Sequence, residues 1–257
     1  KIAVEFQSLI GGTIPSLDSF DMIGLGFPVY YSNPPFSVIG FVRDLPDMAG
    51  KPFFTFTLHG SYRGDASTII RKTLTDKNAV DLGYYHCPGE NHFYGYLKSG
   101  YLFSPGRPND GDLDGAVDFG RELARRFNGG AFQAETYDRP APVMYRIERF
   151  ALNEWLVRNL YSRLFRVNNN RCTDCGACVK ACPTGNIARG EKGRLIRGRN
   201  CILCLACESV CPEEAVRSPL MWTMNRPVFR YNISQGRRDP SISHERVSHV
   251  KGKVVRS

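Results

Sequence analysis

Cys172-Thr-Asp-Cys175-Gly-Ala-Cys178-Val-Lys-Ala-Cys182-Pro183 is followed by Cys201-Ile-Leu-Cys204-Leu-Ala-Cys207-Glu-Ser-Val-Cys211-Pro212, and these two stretches hold eight of the nine cysteines of the chain. Three thiolates held two residues apart on a tight loop can ligate three corners of one iron-sulfur cube, while a fourth cysteine followed by proline serves the neighbouring cube. The spacing therefore predicts two [4Fe-4S] clusters.

Adding 29 to Cys172, Cys175, Cys178, Cys182, Pro183 and Ile187 gives Cys201, Cys204, Cys207, Cys211, Pro212 and Val216. This is the mark of a duplicated half-domain. By the crossed rule for two-cluster proteins of this spacing, Cys172, Cys175, Cys178 and Cys211 hold one cluster and Cys201, Cys204, Cys207 and Cys182 the other. Each half then needs the other's last cysteine. Structural zinc takes separated Cys-x2-Cys pairs at tetrahedral geometry and fits this run poorly. A disulfide framework fits worse, because no signal-like segment or small secreted scaffold is evident. A reducing, cytoplasmic setting is the expectation. With every ligand position filled, the clusters are expected to carry electrons rather than to act on a substrate.

The chain has 257 residues, 42% hydrophobic and 23% charged, enough for two domains. No run is apolar enough for a membrane span, so no direct membrane insertion is expected. The formal charge of +9 suggests nucleic acid at first sight, but residues 216–257 carry nine Lys or Arg against Asp239 and Glu245. The excess is thus mostly local, thiolate-bound clusters lower it further, and no nucleic-acid reader motif accompanies it, so nucleic-acid binding is not expected.

The first 130 residues alternate short apolar runs with helix-like spacing. Met22–Phe27, Phe53–Leu58 and Val80–His86 read as strands; Phe36–Leu45, Ala66–Lys77 and Leu113–Phe127 read as helices. Such alternation argues for a parallel sheet covered by helices, with ligands beyond the carboxyl ends of its strands. Two loops fall there. Pro28, Val29, Tyr30, Tyr31 and Ser32 follow the first run, and His59, Gly60, Tyr62 and Gly64 follow the second. Glycines that admit a ring, prolines that fix the loop and tyrosines that stack could build a flavin site, or these are simply tight loops with surface tyrosines.

Asp21-Met-Ile-Gly-Leu-Gly-Phe-Pro-Val-Tyr30 resembles the third strand and following flavin loop of flavodoxin-like domains, and the loop after Leu58 resembles their second ring-facing loop. Together with the cysteine repeat, residues 1–217 resemble the flavodoxin-ferredoxin fusion family of anaerobic prokaryotes. That resemblance implies FMN on the flavodoxin-like part and electron exchange between FMN and the clusters. The chain departs from the family pattern at its start. Val4–Leu9 reads as the second strand, and Gly11-Gly-Thr-Ile-Pro-Ser16 is the nearest string to a phosphate loop but opens no helix. The expectation is a flavodoxin-like sheet incomplete at the N-terminus, the sequence beginning roughly 30 residues inside a complete βα-first domain. The alternative is a degenerate domain that serves as a docking platform without FMN.

The expected organisation is a flavodoxin-like domain over 1–130, a linker and bridging helix over 131–166 (the helix running 143–165, with Trp155 in the core), a two-[4Fe-4S] ferredoxin domain over 167–218, and a basic tail over 219–257. Between the cysteine runs, Arg189, Lys192, Arg194, Arg197 and Arg199 form a basic hairpin-like insert, either a solvated loop or a docking face for an acidic redox partner. Cys87 reads as inert packing, and His244 and His249 lie in the tail without an assigned role. Two functions compete: single-electron relay between the clusters and FMN, possible oxidoreductase chemistry included, and a non-enzymatic electron-carrier subunit without its own flavin. A third, in which the clusters only brace the fold, predicts that redox cycling abolishes binding.

Overall fold

The computed structural model describes residues 3–9, 16–129, 136–138, 142–190 and 195–256. In chain order its elements are β1 (Ile23–Pro28), α1 (Phe36–Asp44), β2 (Pro52–His59), α2 (Ala66–Thr75), β3 (Val80–Pro88), α3 (Tyr94–Lys98), β4 (Tyr101–Phe103), α4 (Asp110–Phe127) and α5 (Val143–Ala151). Then come α6 (Glu154–Leu156), a π-helical stretch (Val157–Tyr161), α7 (Ser162–Leu164), β5 (Arg166–Val167), α8 (Ala177–Lys180), β6 (Ile187–Arg189), β7 (Leu195–Arg197), α9 (Ala206–Ser209), β8 (Val216–Arg217), α10 (Arg226–Arg238), β9 (His244–Val250) and β10 (Lys253–Arg256). The chain divides into two compact units, Lys1–Pro88 with Arg107–Arg149, and Gly89–Gly106 with Phe150–Ser257.

The first unit is a parallel sheet in the order β1-β2-β3, with Ile23 opposite Phe53 and Pro52 opposite Val80. Alternation along β2 sends its side chains to opposite faces. Phe53, Thr55 and Thr57 are buried on one face, where Thr55 shares a hydrogen bond of 2.8 Å with Ser67 of α2 and Phe53 joins Val42, Ile70 and Leu74 in the core. Phe54 lies on the other, edge-on to Phe119 of α4. Helices on both faces are what a parallel sheet requires. α4 starts on a capping box in which the Asn109 and Asp112 side chains each accept the other's backbone N–H. Inside α2, Arg71 is fully buried; its Nε donates to Asp81 at 2.7 Å and its guanidinium lies 4.3 Å from the Tyr84 ring centroid.

One expectation for this unit changes. Val4–Leu9 is not a strand: it is irregular, Phe6 is 92% exposed, and β1 pairs with β2 alone among the described residues. The outer edge of β1 stays unpaired among the described residues, and of this stretch only Leu9 packs against the core. The Gly11–Ser16 string lies largely outside the described residues, apart from Ser16, which caps the short turn Leu17–Ser19.

The second unit is built in two parts. β5 pairs antiparallel with β8 and β6 with β7, with α8 and α9 between them in sequence. Beside this, β10-β9-β4 form an antiparallel sheet to which the 89–106 segment and the chain's last residues both contribute. Residues 219–257 are therefore not a tail. Phe229 and Ile233, one helical turn apart, are buried on α10, and Val247 and His249 alternate inward along β9. The high charge of this stretch masked a short but regular apolar pattern.

The single helix expected over 143–165 is also corrected. Asn153 accepts a hydrogen bond from the Leu156 N–H at 3.1 Å and opens a new helix after α5, and the ladder passes through π geometry over Val157–Tyr161. Leu152 and Val157 are buried, but Trp155 is 68% exposed and is not core. The boundary between the units falls at Arg149/Phe150, inside the span expected as one bridging helix.

Candidate iron-sulfur site

The two cysteine stretches share one backbone. Asp174 and Leu203 have φ of 52° and 58°, Gly176 and Leu205 have 73° and 59°, and Gly185 and Glu214 have 59° and 47°, each pair offset by 29 residues. Left-handed residues cost about 1–2 kcal/mol outside glycine, so Leu203, Leu205 and Glu214 hold this conformation because the surrounding fold fixes it. Interleaving left- and right-handed residues curls backbone N–H groups toward one concavity, which suits an anionic centre. The N–H of Asn186 donates to Cys182 Sγ and that of Ala215 to Cys211 Sγ, each at 3.2 Å, and the N–H of Leu203 donates to Cys201 Sγ at 3.4 Å.

The eight thiols face two recesses. One is lined by Cys172, Cys175, Cys178 and Cys211, with Pro212 beside them. The other is lined by Cys182, Cys201, Cys204 and Cys207, with Pro183 beside them. In each, three cysteines come from one stretch and the fourth from the other. Burial pushes the Cys201 thiol up to about 11, with Cys204 and Cys182 adding to the shift, and raises Cys204, on which Cys182 also acts. Burial likewise raises Cys207, and Cys178, where Cys211 adds to it. The thiolates are therefore reached only with a cationic centre to hold them, and loading releases protons.

Among the described residues no three His, Cys, Asp or Glu side chains converge tightly enough to enclose a single ion. A tetrahedral zinc site would bring its sulfurs to within ~3.8 Å of one another, given Zn–S of about 2.3 Å. A cube instead takes one thiolate at each iron, so its ligands stand around a cavity rather than on a point. Four sulfurs spread over the walls of a recess, with backbone donors among them, fit that group.

Residues 164–216 match the 4Fe-4S dicluster domain family. A ferredoxin of Chlorobaculum thiosulfatiphilum is 39% identical over 51 residues, covering 18% of this chain and 84% of that protein. The chain belongs to the 4Fe-4S dicluster ferredoxin family. Ferredoxin-1 of Chlorobaculum tepidum is also 39% identical over 51 residues, with 82% of its length covered, and a Streptomyces griseus ferredoxin is 42% identical over 40 residues, 38% of its length. The ferredoxin domain thus binds [4Fe-4S] iron-sulfur centres and transfers electrons. No described helix is long and apolar enough to cross a membrane.

The recesses of this ferredoxin domain differ in their walls. The Cys172 recess includes Asp174 and Glu213, and Cys175 is exposed. The Cys201 recess is lined by Ser162, Phe165, Ile187, Ile202, Leu205 and Arg197 besides its cysteines. Arg197 was expected on an insert that is either a solvated loop or a docking face, and its inward turn is what the sequence reading missed. The alternation of Leu195, Ile196 and Arg197 on a short strand was the available signal. Elsewhere in that insert Arg189 donates to the Asp174 carbonyl at 2.5 Å, and residues 191–194 lie outside the described residues. Glu208, fully buried, accepts from the Ser218 N–H at 2.9 Å, and burial raises its carboxyl to about 7.

In the first unit the two loops read as flavin-facing are brought together. The Val29 N–H donates to the Leu58 carbonyl at 2.8 Å, and a Cβ on Gly64, whose φ is +60°, would sit 3.0 Å from the Ser32 Cβ. Pro28 ends β1 opposite Leu58, Tyr30 bridges to Asn33, Tyr31 and Ser32 have positive φ, and Gly60 directly follows β2. Burial, then the His86 and Arg63 charges, lower His59 to about 4, so it is neutral. The face of Tyr62, however, is stacked on Tyr145 of α5 at 4.6 Å, while Arg149 donates to the Ser32 carbonyl at 2.6 Å and pairs with Asp65. A stacked flavin ring fits these loops only where Tyr145 gives way. Cys87 is buried, and burial raises its thiol, as suits packing.

Proposed function

We propose that this chain is an electron carrier holding two [4Fe-4S] clusters in a duplicated ferredoxin domain, one on Cys172, Cys175, Cys178 and Cys211 and one on Cys201, Cys204, Cys207 and Cys182. The observation that carries this reading is the crossed lining of the two recesses, each completed by the last cysteine of the other stretch. When bound, such clusters take up and release single electrons. The chain's own part is to supply the thiolates, to aim the N–H groups of Asn186, Ala215 and Leu203 at sulfur, and to exclude water around Cys201, Cys204 and Cys207 behind Ile202, Leu203 and Leu205.

A second reading adds FMN on a flavodoxin-like first unit as the exchange partner. Its support is the juxtaposition of the two loops at the carboxyl ends of β1 and β2. The Tyr62–Tyr145 stack favours the carrier without flavin. One preparation decides between them: anaerobically purified protein contains about eight irons under either reading, and about one FMN only under the second. A protein with eight irons that neither retains FMN nor binds it on titration is the carrier alone.

A further inference from the structure

Arg197 is turned away from the solvated face its sequence context suggests. On the β6–β7 hairpin it is the register partner of Ile187, and directly opposed residues share a face. Ile187 is 6% exposed and lines the Cys201 recess together with Arg197, whereas Ile196, on the other face, is 57% exposed. The guanidinium lies 5.1 Å from the centroid of Phe165, another wall of the recess. Its Nε and Nη2 are buried and without a hydrogen-bond partner among the described residues.

A buried guanidinium without a counter-charge is costly, because desolvation is repaid only by an anion and by hydrogen bonds to its donors. No carboxylate stands among the described lining residues of this recess, whereas the described lining of the other holds Glu213 together with Asp174, which pairs with Arg189 at 3.5 Å. The anionic groups that act most strongly on Arg197 are Cys207 and Cys201 of its own recess, ahead of Cys178 of the other recess and the buried Glu208, so its main counter-charge is what the thiolates of its own recess hold.

We infer that Arg197 is a tuning residue for the cluster of the Cys201 recess, donating to its thiolate or sulfide sulfurs and setting its reduction potential above that of the Cys172 recess. This rests on the two-cluster reading above. One-electron reduction adds a single negative charge to the centre, with no bond or proton change, and the electron comes from an external one-electron donor. A fixed cation beside the centre favours that more negative form, while at the other centre the charge of Asp174 is balanced by Arg189 and Glu213 opposes reduction. The Cys201 centre therefore accepts the electron first.

The test is a redox titration of the anaerobic full chain with dithionite and viologen mediators, followed by electron paramagnetic resonance, on the wild type and on Arg197→Met, Arg197→Gln and Arg197→Lys. The wild type shows two distinct midpoints. In the Met and Gln proteins the higher midpoint falls by at least 59 mV, a tenfold change for a one-electron couple, and the lower one stays in place. The Lys protein keeps most of the separation. Eight irons with both midpoints unmoved in the Met or Gln protein overturns the proposal, and so does an equal fall of both. If the neutral variants lose iron, the Lys protein decides: coincident midpoints overturn the proposal. A wild type holding only four irons overturns the two-cluster reading and this inference with it.

Discussion

Gly252 lies 41 residues beyond Cys211, yet its replacement by alanine is expected to damage the iron-sulfur site. It sits between β9 and β10 with φ of +75°, and a Cβ there would lie 2.6 Å from the Val210 carbonyl oxygen, 2.9 Å from the Val210 carbonyl carbon and 3.4 Å from that of Cys211. These are backbone atoms, so no side-chain rotation relieves the clash. Left-handed strain contributes about 1–2 kcal/mol and overpacking about 1–3 kcal/mol, together about 2–5 kcal/mol. For a unit of this size roughly 4 °C accompanies each kcal/mol, so the melting temperature of the second unit falls by about 8–20 °C. Because what must move is the segment carrying Cys211, Gly252→Ala also loses iron to a chelator faster than the wild type. Gly100→Ala is the control: φ is +84°, but the nearest atom, the Val247 carbonyl oxygen, is 3.6 Å away. It carries the strain alone and falls by about 4–8 °C with iron retention unchanged. Equal melting and equal iron loss in the two variants would refute the reasoning.

Two further outcomes follow from single side chains. His59 has a folded pKa of about 4 against about 6.5 when unfolded, so its contribution is fully present above pH 6.5 and is lost as pH falls toward 4, at most about 3 kcal/mol. Urea melts of the first unit between pH 4 and 7 should flatten in His59→Leu; parallel slopes in the two proteins would contradict this. Asn186 Oδ1 accepts from the Asn200 N–H at 2.7 Å, next to Cys201, so Asn186→Ala removes that acceptor. Asn200 is exposed and water can take up its donor, so the cost is about 0.5–1.5 kcal/mol, and its mark is a less stable second unit on calorimetry, with no change expected in the first.

Much of this architecture was legible in sequence. The crossed lining of the recesses follows from cysteine spacing because the loop geometry repeats with it, down to the left-handed positions at Asp174 and Leu203. β1, β2, β3, α1, α2 and α4 follow from apolar runs and periodicity, each within a few residues. What failed depended on pairing and orientation across the chain. Val4–Leu9 has strand-like residues but pairs with no described strand, and the helix after Val143 breaks where the Asn153 side chain captures a backbone N–H. Residues 226–256 looked like a charged tail because their few buried positions, Phe229, Ile233, Val247 and His249, cover surface supplied in part by the distant 89–106 segment. Arg197 looked solvated because composition carries no direction. The alternation of Leu195, Ile196 and Arg197 puts it on the face opposite Ile196, and its register with Ile187 shows that this face is the buried one.

Paired cysteine substitutions separate crossed from uncrossed holding of the two clusters. Cys182→Ala with Cys201→Ala removes two ligands from one recess, while Cys182→Ala with Cys172→Ala removes one from each. Iron analysis of the anaerobic proteins should find about four irons in the first pair and far fewer in the second, against about eight in the wild type. The reverse order, with the Cys182/Cys172 pair keeping one cluster and the Cys182/Cys201 pair losing both, would mean that each stretch holds its own cluster and would contradict the account.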